Sequence, residues 1–159
     1  MTAALLAVHV LAAVVFVGPV TVAASTFPRY ARAAAAEGRG AGAAAASAAL
    51  LHRITRGYAV LAVAVPVFGV ATAGALGVLT QTWVVVSMVL TIAAGVLLAL
   101  AVVPAQRQIL RLVASPPAPG DAVGSRTARL AAATGTFNLI WAAVVVLMIL
   151  RPGSTTGVG

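Results

Sequence analysis

Four apolar runs, each long enough to cross a bilayer, are separated by two stretches that hold nine of the chain's ten arginines. The runs cover residues 3–26, 57–79, 83–103 and 130–150, and the basic stretches are 27–56 and 104–129. Roughly twenty helical residues at about 1.5 Å each cover the hydrocarbon core, so each run suffices for one crossing. Cytoplasmic loops accumulate arginine and lysine, which assigns both basic stretches to the inside and both termini, with the short turn near Gln81, to the outside. The pattern therefore predicts an all-α polytopic membrane protein: a single domain over residues 1–159, with four transmembrane helices in an antiparallel bundle.

Composition agrees and removes several alternatives. With 62% hydrophobic and 8% charged residues, the chain lies far from the globular mix, in which about a quarter are charged. Spans and inner loops use nearly all of its length, leaving no room for a separate soluble catalytic domain. A net charge of +8 would suit nucleic acid only if it formed a basic face on a soluble element. Here Arg29, Arg32, Arg53, Arg56, Arg107, Arg111, Arg126 and Arg129 border apolar runs instead. They are expected to contact anionic lipid headgroups, each worth about 1 kcal/mol, and nucleic acid is not an expected partner. The absence of cysteine excludes disulfides, thiolate metal sites and thiol catalysis. No basic segment precedes the first run, so a retained span is expected in place of a cleaved signal peptide. Basic residues that are all arginine, with abundant Ala, Val and Gly, match the usage of GC-rich bacterial genomes and point to a bacterial cytoplasmic membrane.

Local signals refine the spans. Pro19 leaves the Val15 carbonyl without its usual donor, predicting a kink or local widening, and Pro66 marks another such point. The first helix is expected to continue past the membrane to about Ala36, with a glycine-rich flexible turn around Gly38, Gly40 and Gly42 and a second helix from about Ala43. Only a few residues around Gln81 join the second and third runs, so those helices must be antiparallel neighbours, with Trp83 as an interfacial anchor. Gln106 to Val113 reads as an amphipathic extension, the prolines after Ser115 end it, and Asp121 to Ser125 opens the last helix. The tail after Gly153 is expected to be disordered. Arg53 and Arg56 enter the second run with the spacing of Arg126 and Arg129 entering the fourth, an echo that either a parallel repeat or charge placement alone would produce.

Gly69, Ala73 and Gly77 place small side chains four residues apart, a spacing that lets another helix approach closely. Asn138, beside Thr134 and Thr136, is a polar group within the fourth run, suited to interhelical hydrogen bonding or to lining a polar path. No catalytic motif is present. The first expectation for function is a non-enzymatic membrane subunit or scaffold, associating with a second copy or another membrane protein through small-residue faces.

The segment from His9 through Phe16, Gly18 and Pro19 to Phe27, Pro28, Arg29 and Tyr30, followed by the arginine-led second run, resembles a group of small uncharacterised four-span bacterial integral membrane proteins. More distantly it is similar to the membrane domain of copper-resistance D-type proteins and to haem-binding membrane protoporphyrinogen oxidases, which also begin with a histidine in an early span. The distant resemblance implies haem or copper as a cofactor at His9.

His9 is the one histidine inside a run, and burying an ionisable group in a membrane is expensive enough to make it a functional candidate. His52 belongs at the opposite end of the second helix, so one metal cannot bridge the two. Met88 is expected at the depth of His9, and Met148 lies in the same half. Imidazole with thioether suits Cu(I) or haem iron. Equally, a neutral histidine satisfies itself on a backbone carbonyl, for instance one freed by Pro19 or Pro66, and methionine fills irregular gaps. A proton-linked role is the third reading.

Overall fold

The computed structural model describes residues 2–38, 42–115 and 120–153. The turn around Gly40, the prolines at 116, 117 and 119, and the tail from Ser154 lie outside them. The described residues form four long helices: α1 (Thr2–Glu37), α2 (Ala43–Ala75), α3 (Thr82–Val113) and α4 (Gly120–Leu150). Each is long and apolar enough to cross a membrane. Their outward faces are apolar as well, with Leu100, Leu139 and Val60 at least 70% exposed. Such a surface is stable only where hydrocarbon replaces water. The fold is an all-α four-helix bundle, and the chain is a multi-pass membrane protein.

Lipid offers no hydrogen bonds, so each proline must be accommodated by the backbone itself. In α1 the residues Ala13–Val17 form a wide π turn immediately before Gly18 and Pro19, which is the local widening that the missing Pro19 donor calls for. The same device recurs in α3, where Leu98–Val102 is a π turn and Pro104 follows two residues later. In α2, Pro66 deprives the Ala62 carbonyl of its donor. The Val65 N–H turns back to it at 3.0 Å, and the helix is interrupted at Ala62 and Val63.

α2 stops at Ala75, short of the expected Leu79, because Gly77 ends it. Its φ of +69° is left-handed, and its N–H meets the Gly74 carbonyl at 3.1 Å while the Val78 N–H meets that of Ala73 at 3.0 Å. This pair of bonds is the Schellman helix stop. Gly77 thus does not pack against a neighbouring helix, since an added Cβ would meet nothing within 4 Å. The expectation grouped a turn glycine with Gly69 and Ala73 because four-residue spacing also occurs where a helix ends.

The bundle is closed at one end and open at the other. At the arginine-rich end α1 packs closely on α2, and α2 meets α3. Phe27, Ala31, Ala48, Val102, Ile109 and Leu130 are almost wholly buried there. Alanine at most of the α1–α2 contacts lets the backbones approach, which maximises dispersion where no hydrophobic effect operates between helices. Toward the opposite end the helices part as two pairs, α1 with α2 and α3 with α4, and the facing ends of α2 and α3 scarcely touch. The first eleven residues of α1 bury only His9 and Ala12.

A polar chain ties the closed end together. Thr55 donates to the Leu51 carbonyl at 2.9 Å, the Gln106 amide donates to Thr55 Oγ1 at 3.3 Å, and His52 Nδ1 lies 3.1 Å from Gln106 Oε1. The terminal carbonyl can only accept, so each link has one direction and His52 Nδ1 must carry a proton. Gln106 is fully buried and joins α3 to two residues of α2. Replacing it with leucine keeps the volume and deletes both interhelical bonds. Gln106→Leu is expected to lower the thermal midpoint in detergent by the equivalent of about 1–2 kcal/mol; an unchanged midpoint would show that the chain contributes nothing to stability.

Candidate functional site

The separation of the two helix pairs leaves a cavity of about 550 Å³ at the arginine-poor end, with walls from all four helices. That volume falls within the range of about 300–1,000 Å³ typical of small-molecule sites. Its lining is mainly aliphatic, and the polar exceptions include His9, Thr91 and Arg151. The π turn of α1 forms part of the floor through Ala13 and Val14.

His9 is a buried polar side chain in this wall. Its Nδ1 lies 2.9 Å from the Val65 carbonyl, across the α1–α2 contact. A carbonyl only accepts, so Nδ1 carries a proton, and in the neutral imidazole Nε2 is the ring nitrogen with the lone pair. The accepting carbonyl is not the one Pro66 frees, which belongs to Ala62, but that of the residue preceding the proline. Gly69 makes the approach possible, because a Cβ there would stand 2.9 Å from His9 Cε1 and 3.3 Å from Nδ1. One side chain on α1 and one missing side chain on α2 therefore fix the imidazole.

Met88 and Met148 line the same cavity as His9. His52 is elsewhere, about 20 Å further along α2, occupied with Gln106. Among the described residues no three of His, Asp and Glu come together as a metal site.

The remaining candidate positions separate by region. Arg29, Arg32, Arg53, Arg56, Arg107, Arg111, Arg126 and Arg129 are all exposed at the closed end, and Arg126 reaches Gln108 at 3.3 Å. Ala73 is buried beside the cavity. Asn138 donates to Ser25 at 3.2 Å and links α4 to α1, while its own Oδ1 is buried without a partner.

Arg151, directly after the last apolar run, is not among the residues singled out from the sequence. In the structure its φ is +44°, its Nε faces the Met148 carbonyl at 3.4 Å, and its guanidinium sits 5.6 Å from the Trp83 ring centroid. A signal was available, since a lone basic residue at the arginine-poor end runs against the positive-inside bias.

No family model, curated protein or solved structure matches the chain.

Gly69→Ala is expected to dislodge the imidazole and destabilise the protein by about 1–3 kcal/mol. In a His9→Ala background the same change should cost little, because the two residues act as one contact. Additive effects in thermal unfolding of the two single variants and the double variant would refute the coupling.

Proposed function

We propose that the chain is a non-enzymatic binding subunit of the bacterial cytoplasmic membrane, holding an apolar or amphiphilic ligand in the cavity between its helix pairs. The observation that carries this reading is the His9 imidazole, fixed on the Val65 carbonyl in the wall of a mainly aliphatic intramembrane cavity. A site of this make-up gives an apolar body its affinity and one polar group its orientation. Nothing about it supplies a nucleophile paired with a base, which is why binding is proposed in place of catalysis.

The arrangement of charge supports an orientation with the cavity in the outer leaflet and the arginines among the anionic headgroups of the cytoplasmic leaflet. Ala128, Ala131, Ala132 and Gly135 are exposed along α4. They give a close-packing face for a second copy or a membrane partner, the scaffold part of the proposal. Accessibility tags should find both termini on the periplasmic side; a cytosolic terminus would reverse the assignment of the cavity.

One observation favours a second reading, in which haem or copper is the ligand. The Nδ1–H tautomer of His9 is the one a metal-binding imidazole adopts when a carbonyl orients it, and Met88 and Met148 share its cavity. Protein purified from cells supplied with haem precursors and copper separates the readings. The first expects an extractable amphiphile with neither a Soret band nor stoichiometric copper, and its content should fall in His9→Leu. A Soret band or bound copper that disappears in His9→Leu and weakens in Met88→Leu would assign the second.

A further inference from the structure

The cavity has a second polar feature that the preceding proposal does not use. Arg151 stands at its wall, held in place by three independent constraints: the left-handed backbone, the Nε contact with the Met148 carbonyl and the face of Trp83. A left-handed conformation is disfavoured for a residue with a Cβ, so the position is one the surroundings impose. The Nε contact and the ring occupy one edge and one face of the guanidinium. Among the described residues neither terminal nitrogen has a hydrogen-bond partner, and the pair keeps the fork geometry that matches a carboxylate or phosphate.

No acidic side chain answers this charge. The chain has two acidic residues, Glu37 and Asp121, and both belong to the closed end. Along α1 and α4 they are about 40 Å or more from His9 and Arg151 respectively. The bond between Ser25 and Asn138 also serves as a level mark between those helices. From it His9 lies about 24 Å and Arg151 about 20 Å toward the open end, so the two side chains stand at similar height. Below them the wall is apolar, through Val10, Ala13, Val14, Val144 and Val145.

We infer that the ligand is an anionic amphiphile, its acyl chain within the cavity and its anionic head on the terminal nitrogens of Arg151. This rests on the cavity-binding reading above and specifies the ligand's head. A hydroxyl in that head, as in a glycerol ester, is the donor that His9 Nε2 can accept. Arg151 is half-buried, so the ion pair is screened less than one on a fully exposed side chain.

The test compares matched ligands by thermal shift in a non-ionic detergent: palmitate against hexadecanol, and phosphatidylglycerol against diacylglycerol. In the wild-type protein at least one anionic member should reach its half-maximal shift at about tenfold lower concentration than its neutral partner. Which pair shows the difference separates a free carboxylate from a phospholipid headgroup as the source of the charge. Arg151→Gln should bring anionic and neutral members within about twofold, and Arg151→Lys should fall between. Val145→Trp, which fills the cavity from its wall, should remove both responses.

Equal responses to charged and neutral ligands in the wild type would overturn the anionic head while leaving the cavity proposal intact. So would a preference that survives Arg151→Gln, because it would place the anion among the arginines of the closed end. No response to any of the four, or full responses in Val145→Trp, would instead overturn the cavity proposal itself.

Discussion

Hydrocarbon satisfies no backbone hydrogen bond, and the rest of this structure follows from how four helices meet that constraint. An interrupted helix in water can bind solvent at the break, whereas one in lipid must close it from its own chain. The three breaks here are closed locally, by π turns before Pro19 and Pro104 and by the shortened turn that carries the Val65 N–H back to Ala62. Each repair changes the direction or girth of its helix. Helices altered in this way do not pack uniformly along their whole length, and the bundle resolves the mismatch by closing at one end.

The closed end is made from alanine, a few large apolar side chains and one directed polar chain. Gln106, Ile109 and Val113 are buried on a single face of α3, which presses the amide against Thr55 and His52. At the open end the α1–α2 pair is held by a different device, the imidazole of His9 seated on Gly69. This contact fastens the pair without filling the space beside it. The cavity is thus a product of the packing, bounded by a pair stapled at His9 and a pair joined through α4.

Much of this was legible in the sequence. Span number followed from apolar length, and the widening near Pro19 followed from a missing donor. The shared location of His9, Met88 and Met148 was approached through counting residues from the span ends. Other features were hidden for identifiable reasons. Gly69 and Gly77 look alike in a four-residue pattern, and only the backbone distinguishes a helix contact from a Schellman stop. Gln106 reads as part of an amphipathic extension unless it is noticed that Ile109 and Val113 share its face. The role of Arg151 was hidden because its partner Trp83 is brought to it by the first turn of α3, far away in sequence. The cavity had no sequence signal, since it arises where α2 and α3 fail to meet.

That failure to meet has a consequence for how the site exchanges its contents. Where two transmembrane helices touch so little, the acyl chain of the proposed ligand would enter sideways from the leaflet without first passing through water. Partitioning into the membrane then sets the concentration the site experiences, and occupancy follows lipid composition rather than the dissolved pool.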